Sequence, residues 1–230
     1  MATVAENLRA VKERIAKAAA RVRRDPEGIT LVAVTKTMPV DRIREAIEAG
    51  HRVFGENRVQ EAQAKVQALD RHVQWHLIGH LQRNKVKYVC GLFHMIESVD
   101  SLPLAQDLDR RAAQHGAVMP ILIQVHVGDE GTKSGVSPAQ VLALVREVAS
   151  LPHVAIRGLM SIPPAVENPE DARPSFVLLH ALAEEIERAK LPGVAMVELS
   201  MGMSHDFEVA IEEGATLVRV GTAIFGPRPA

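Results

Sequence analysis

Hydrophobic and polar positions alternate along the chain between two patterns. Short apolar runs rich in β-branched residues, typical of strands buried on both faces, are each followed by a longer segment with apolar residues at helical spacing. Before the first strand, Val4, Leu8, Val11 and Ile15 share one side of an amphipathic helix predicted within residues 1–24. The ranges predicted for strands are 30–35, 52–55, 74–79, 93–97, 121–127, 156–161, 195–199 and 217–220.

This repeated strand–helix unit predicts an α/β fold with a closed parallel barrel. The competing architecture is an open doubly wound sheet, which more often has about five or six strands and a glycine-rich first turn. Here the turn after the first predicted strand reads "TKTMP" and contains no glycine, and no linker-like Pro/Gly/Ser tract divides the chain. We therefore expect one (β/α)8 TIM-barrel domain over residues 1–230, with the N-terminal helix as an addition.

Composition narrows the possible functions. A formal net charge of −1 and an aromatic content of 3% give no general attraction to nucleic acid or anionic membranes and few surfaces for stacking bases. Cys90 is the single cysteine, which excludes an internal disulfide and fits a reducing compartment. Paired His/Cys spacings typical of zinc sites and long apolar membrane spans are both missing from the sequence. We expect a cytoplasmic protein without a metal site.

Polar and charged residues collect at the C-terminal ends of the predicted strands, whereas the opposite ends resemble plain turns. Lys36 follows the first strand in "ITLVAVTKTMPV", Asn57 lies in "GEN", Ser161 lies in "MSIPP", and residues 126–135 read "HVGDEGTKSG". Active sites of closed parallel barrels lie at this end of the strands. The asymmetry therefore predicts a functional face.

The last two strand ends indicate an anion site. "LSMGMSHD" contains the hydroxyls of Ser200 and Ser204, and "VRVGTAIFG" contains Gly221 and Thr222. Backbone N–H groups at helix starts bind anions, and barrels often bind phosphate after strands seven and eight. Helix capping by the serines is the plainer explanation of one such segment. Two segments at this corner favour phosphate.

Lys36 and Arg219 suggest which phosphate compound is bound. A lysine amine forms a Schiff base with an aldehyde, and partial burial at a strand end favours the neutral, reactive amine. Pyridoxal 5′-phosphate carries both an aldehyde and a phosphate. A guanidinium has only donors, so Arg219 against the pyridine nitrogen would leave that nitrogen unprotonated and the ring a poor electron sink. The alternative for Arg219 is a salt bridge inside the barrel.

At these residues the sequence resembles a known family. The segments "VAVTKTMP", "FGENRVQEAQAK", "WHLIGHLQRNK", "GLMSIPP" and "ELSMGMSHDFEVAIEEGATLVRVGTAIFG" are similar to those of the pyridoxal phosphate homeostasis proteins, the YggS-type family. The resemblance runs from the first strand to Gly226. It implies a barrel like the N-terminal domain of alanine racemase (the type III fold of enzymes using this cofactor) and pyridoxal phosphate binding without a well-defined catalytic activity. It also implies a cytosolic role in vitamin B6 and amino-acid balance.

The resemblance assigns roles to individual residues. Lys36 matches the Schiff-base lysine, Asn57 the asparagine near the cofactor, and Arg219 the arginine facing the pyridine nitrogen. The phosphate-holding positions match Ser200, Ser204, Gly221 and Thr222, while Ser161 and Met201 lie in segments that border the pocket.

One departure from the family pattern is visible. Many members have asparagine at the end of strand five, where this chain has His126. The polar contacts on that side of the pocket are therefore expected to differ, whereas the covalent anchor is not.

The resemblance and the residues both favour a carrier over an enzyme. A racemase needs an acid/base group on each face of the substrate carbon. In alanine racemase the second group is a tyrosine from another domain, whereas the only tyrosine here, Tyr88, lies in a helical segment and only four residues follow Gly226. His80, His126 and His205 are the remaining candidates for a second base.

We expect a monomeric carrier that hands pyridoxal phosphate to apo enzymes. Two enzymatic alternatives stay open: a racemase of low activity, and an aldolase that uses the lysine without a cofactor. A third is a regulatory protein that senses cofactor occupancy. The segments "RVRRD" and "RNKVK" could contact a partner, but solvated helix faces are the favoured explanation of both.

Overall fold

A computed structural model describes residues 2–69, 72–128 and 134–227 of the chain. Short strands form wherever the sequence has runs of β-branched and apolar residues, because such side chains pack well on a sheet covered on both faces. The strands of the described part are β1 (Thr30–Val34), β2 (Val53–Glu56), β3 (Gln74–Leu77), β4 (Met95–Val99), β5 (Met119–Val125), β6 (Val154–Ser161), β7 (Val194–Met203) and β8 (Leu217–Val220).

The strands close into a parallel barrel in the order β1 to β8. β1 pairs with β2 on one side and with β8 on the other, so that Ala33 lies opposite Phe54 and Val32 lies opposite Arg219. The predicted closed barrel is confirmed, and the open-sheet alternative is wrong. The seventh strand is longer than predicted because it continues to Met203, past an irregularity in its pairing with β8.

Helices surround the barrel in the described residues. They are α1 (Val4–Arg21), α2 (Val40–Glu48), α3 (Val59–Ala68), α4 (Leu102–Gln114), α5 (Val141–Val148), α6 (Arg173–Arg188), α7 (Phe207–Glu212) and α8 (Thr222–Phe225). A 3₁₀ helix, Arg83–Tyr88, stands between β3 and β4, where the other units have an α-helix. The N-terminal helix α1 begins with a capping box between Thr3 and Glu6 and packs against α2, α7 and α8.

Alternation along the strands divides the core into two parts. One large apolar layer lies between the strands and the helices. A small cluster of Val32, Leu122, Met160 and Leu217 lies apart from it and fills the inside of the barrel. Since every second residue of a strand faces the same side, Arg219 follows Leu217 on the inner face, and Gln124 follows Leu122. The barrel is therefore apolar inside and becomes polar toward the C-terminal ends of its strands.

None of the described helices is both long and apolar enough to cross a lipid bilayer.

Candidate functional site

A cavity of about 600 Å³ opens at the C-terminal mouth of the barrel, within the range of about 300–1,000 Å³ typical of small-molecule sites. Lys36 reaches its wall from just beyond β1, Asn57 from the end of β2, and Ser204 from the end of β7. Of the nine residues predicted for the site, those that line this cavity are Lys36, Asn57, Ser204, Arg219, Gly221 and Thr222.

The structure places Ser161, Ser200 and Met201 behind the cavity wall. Ser161 ends β6, and its buried hydroxyl has no hydrogen-bond partner among the described residues. Met201 is fully buried in the apolar layer between strands and helices, because it lies on the opposite face of β7 from Ser200. Met203 lines the cavity in its place, because β7 is irregular between Ser200 and Met203 and the alternation of its side chains is interrupted there.

A buried chain of polar groups lies beneath the cavity floor and ends at Arg219. Arg219 Nη1 donates a hydrogen bond to Ser200 Oγ (2.5 Å), and Arg219 Nη2 donates to the carbonyl oxygen of Ser161 (2.7 Å). Ser200 Oγ in turn donates to Glu97 Oε2 (2.5 Å), and Glu97 Oε1 accepts from His76 Nδ1 (2.7 Å). Each terminal nitrogen of the guanidinium is therefore held by a hydrogen bond, and Arg219 also forms part of the cavity wall.

The charges of this chain compensate each other. Burial by itself raises the pKa of the Glu97 carboxyl, but the hydrogen bond and attraction of His76, the charge of Arg219 and the hydrogen bond of Ser200 outweigh burial, so the net pKa is lowered. Burial lowers the pKa of the Arg219 guanidinium, and the charges of Glu97 and Asp206 oppose this. An arginine keeps its proton in proteins. Arg219 can thus donate hydrogen bonds to a ligand but cannot accept a proton from it.

The corner between β7 and β8 presents donors to the same cavity. The Gly221 N–H donates to Ser204 Oγ (3.2 Å), and Thr222 begins α8, whose first N–H groups have no partner within the helix. A Cβ atom at residue 221 would lie 3.3 Å from the carbonyl oxygen of Val34. Glycine therefore lets this corner lie close to the end of β1 without a tight contact.

Asp206 fixes the turn that carries Ser204. Its carboxylate accepts a hydrogen bond from the Met203 N–H (2.6 Å). Burial raises the pKa of Asp206, while the Met203 hydrogen bond and the charge of Arg219 oppose the rise. The hydroxyl of Ser204 is thus presented by a turn whose backbone is tied to a buried side chain.

The three histidines considered as a second base lie in different places. His80 and His205 line the cavity and are exposed, with His205 Nε2 hydrogen-bonded to the carbonyl oxygen of Glu167 (2.8 Å). His126 follows β5 and is half-buried, but it is not part of the cavity wall, where Gln124 lies instead. Residues 129–133 of the predicted rim segment lie outside the described residues.

Several functional positions were missed by sequence reasoning. His76 and Glu97 each stand next to apolar residues within a strand, and a titratable side chain at such a position is the signal by which a buried charge pair could have been found. Gln124 and Met203 gave no comparable signal. Within the part of the chain that the structure describes, no group of three or more His, Cys, Asp or Glu side chains is arranged to hold a metal ion.

Comparisons with known proteins agree with this architecture. Residues 4–229 match the family described as alanine racemase, N-terminal domain. A pyridoxal phosphate homeostasis protein of Aquifex aeolicus is 49% identical over 97% of this chain and 97% of its own. The protein of the same name from Escherichia coli K12 is 41% identical over 99% of this chain and 98% of its own.

A solved structure is also similar. PipY of Synechococcus elongatus, solved with PLP bound, superposes with a TM-score of 0.80 at 41% identity, covering 92% of this chain and all 100% of PipY. Sequence identity at this level, over nearly the full length of both chains, is much higher than a shared barrel fold alone requires. The chain belongs to the family of pyridoxal phosphate homeostasis proteins, within the group that has the alanine racemase N-terminal domain.

Proposed function

We propose that this chain binds pyridoxal 5′-phosphate through Lys36 and acts as an intracellular carrier in vitamin B6 homeostasis and amino-acid balance. The observation that carries the proposal is one cavity that contains a lysine amine, an anion corner at Ser204, Gly221 and Thr222, and a buried arginine. The names of the relatives and the PLP bound to PipY support it.

The residues present fit this cofactor. When bound, it supplies an aldehyde that a lysine amine captures covalently and an aromatic ring that withdraws electrons. Lys36 supplies the amine, and the hydroxyls and backbone N–H groups of the β7–β8 corner are suited to a phosphate. Asn57 adds an amide at the same wall, and Arg219 donates only. Ser200 contributes through Arg219, while Ser161 and Met201 support the wall from behind.

Carrier function is supported by what the cavity offers for proton transfer. A racemase needs a second acid/base group opposite the lysine. The candidates on the wall are His80 and His205, which are exposed and make hydrogen bonds to Ser134 and Glu167. Arg219 cannot supply a proton to a ring nitrogen and take it back. We propose slow or absent turnover, and release of the cofactor to apo enzymes in the cytosol by a monomer.

An absorbance titration with pyridoxal phosphate tests the proposal. The wild type is expected to show the band of a covalent lysine adduct, and borohydride reduction with peptide mapping is expected to find the adduct on Lys36. Lys36→Ala should lose the band. Lys85→Ala is the matched control, because Lys85 lies in a neighbouring groove and not on the cavity wall.

Four results would each contradict a part of the proposal. A wild type without the band would return the cofactor-free aldolase to consideration, and an adduct on Lys85 or Lys133 would remove Lys36 from its role. Racemisation of an amino acid by the loaded protein at a rate typical of enzymes, about 1 s⁻¹ or faster, would favour the racemase alternative. A light-scattering mass of twice 25.0 kDa would refute the monomer.

A further inference from the structure

The turn that carries Lys36 has an unusual backbone. Thr37 has a φ of 63°, in the left-handed region that β-branched residues rarely adopt. Arg23 and Lys190 also have positive φ, but each lies just past the end of a helix, where this conformation is common. Thr37 does not follow a helix. Such a conformation persists only where the surroundings enforce it.

The turn has a backbone hydrogen bond of its own, from the Met38 N–H to the carbonyl oxygen of Thr35 (2.9 Å), which places Thr37 at the third position of a four-residue turn. Lys65, on α3, adds side-chain contacts that hold this turn. Its side chain is only 6% exposed. Its ammonium lies 2.6 Å from the carbonyl oxygen of Thr35, 2.6 Å from Glu56 Oε1 and 2.7 Å from Glu61 Oε1. An ammonium has three N–H donors, and each of these contacts uses one of them.

The two carboxylates connect Lys65 to both neighbours of Lys36. Glu61 Oε1 accepts a hydrogen bond from the Thr37 N–H (2.6 Å), and Glu56 Oε1 accepts one from Thr35 Oγ (2.5 Å). Glu56 is the last residue of β2, which pairs with β1, and Glu61 lies one helical turn before Lys65. The residues before and after Lys36 are thus tied to one buried ammonium.

A contribution to stability is a poor explanation of this buried ion cluster. Burying charges is expensive, and a buried ion cluster can often be replaced by apolar residues without loss. Glu56 is fully buried, and its Oε2 has no hydrogen-bond partner among the described residues. Burial raises the pKa of Glu56, with the hydrogen bonds from Lys65 and Thr35 opposing the rise. Lys65 itself does not line the cavity. Its contacts act on the turn and not on a ligand.

We propose that Lys65, together with Glu56 and Glu61, is a positioning cluster that holds the Thr35–Thr37 turn so that the amine of Lys36 meets the aldehyde of the cofactor in a reactive orientation. This inference rests on the proposed function. The cluster fixes the backbone on both sides of the lysine, and misplacing a reacting group by about 1 Å can slow a reaction by about 10²-fold.

The experiment compares two ligands on Lys65→Met. Pyridoxal phosphate reports covalent attachment, followed as the rate at which the adduct band appears. Pyridoxine 5′-phosphate has an alcohol in place of the aldehyde and reports non-covalent binding alone. We expect the attachment rate to fall by about tenfold or more, while the Kd for pyridoxine 5′-phosphate changes by less than about twofold. Lys17→Met, the same change at an exposed helical lysine, should leave both values unchanged.

A rescue variant separates positioning from a general structural role. Glycine adopts positive φ without strain. Thr37→Gly in the Lys65→Met background is therefore expected to recover several-fold of the lost rate. If Lys65→Met does not fold, Glu61→Ala decides the question, because it removes the acceptor of the Thr37 N–H at a side chain that is 25% exposed and leaves the Lys65–Glu56 pair in place. It too should slow attachment several-fold.

Three outcomes would overturn the positioning role, and a fourth would separate it from the proposed function. The positioning role is overturned if folded Lys65→Met attaches pyridoxal phosphate as fast as Lys17→Met does. It is also overturned if the attachment rate and the affinity for pyridoxine 5′-phosphate fall by the same factor, because that result indicates a damaged cavity. In the fallback, unchanged attachment by Glu61→Ala would also overturn it. If the wild type itself forms no adduct, the proposed function fails instead.

Discussion

Glu97→Gln tests whether the buried chain beneath the cavity is held together by charge. The substitution keeps the shape of the side chain but removes the negative charge that faces Arg219 across the Ser200 hydroxyl. It also weakens the hydrogen bond with His76, because an amide oxygen is a weaker acceptor than a carboxylate. The guanidinium of Arg219 stays buried in either case.

The expected loss of stability follows from burial. Glu97 is fully buried and Arg219 is 4% exposed. Removing one partner of a buried ion pair typically costs about 3–5 kcal/mol. Arg219 keeps its hydrogen bonds and the attraction of Asp206, so we expect a value near the lower end, about 3 kcal/mol. At about 2–4 °C per kcal/mol for a chain of this size, Tm should fall by about 6–12 °C.

Urea unfolding at pH 7, followed by far-UV circular dichroism, measures this loss, and a thermal scan gives Tm. Glu45→Gln is the matched control. The side chain of Glu45 is 43% exposed, and its ion pair with Arg42 should contribute about 0.5 kcal/mol or less to stability. If the two variants lose the same stability, the reasoning about buried charge is refuted.

The pH dependence of the stability difference between wild type and Glu97→Gln is a second test of the charge on Glu97. The folded-state pKa of Glu97 is lowered from its ordinary value of 4.5. Its contribution is therefore fully present above pH 4.5 and is lost as the pH falls through the folded pKa, since protonation then neutralises the carboxylate. The stability difference between wild type and Glu97→Gln should shrink below pH 4.5. A difference that grows on acidification would contradict this assignment.

Two further predictions concern other buried groups. Burial lowers the pKa of His51 from 6.5 to about 4, so its contribution is present above pH 6.5 and is lost as the pH falls toward 4, by at most about 1.4 kcal/mol per pH unit. Urea unfolding between these pH values should show that the free energy of unfolding depends less on pH in His51→Gln than in wild type. His115→Gln, at an exposed histidine, is the control and should keep the pH dependence of wild type. The same pH dependence in both variants would contradict the shift. Ser200→Ala breaks a hydrogen bond of Arg219 and should cost about 1–3 kcal/mol in thermal unfolding. Ser161→Ala removes a hydroxyl without a partner among the described residues, so its stability should stay within about 0.5 kcal/mol of wild type. Equal losses of stability in the two serine variants would refute the different roles given to the two hydroxyls.

Part of the site was predictable because its signals are local. Lys36 and Asn57 stand where apolar strands end, and Arg219, on the last strand, lies two residues before Gly221. The polar residues at the ends of parallel strands must meet at one face of a closed barrel, whatever the details of packing. Strand alternation and a glycine before a helix are properties of a few neighbouring residues, so they can be read without the fold.

Other features could not be assigned from the sequence. Ser200 and Ser204 lie in one segment, and only the length of β7 decides that Ser204 reaches the cavity while Ser200 binds Arg219 beneath it. Glu97 is 103 residues from Ser200, its hydrogen-bond partner. Lys65 has the spacing of an ordinary helical surface lysine, but the packing of α3 against β2 and the contact with Thr35 bury it.

The sequence by itself determined the barrel and the face that carries the candidate site, because hydrophobic periodicity and turn residues act over a few positions. Only the tertiary structure decided which polar groups are buried together, beneath Arg219 and around Lys36. The free energy of a buried charge depends on the partners and the exclusion of water that appear when the barrel closes, and these are set by residues far apart in the chain.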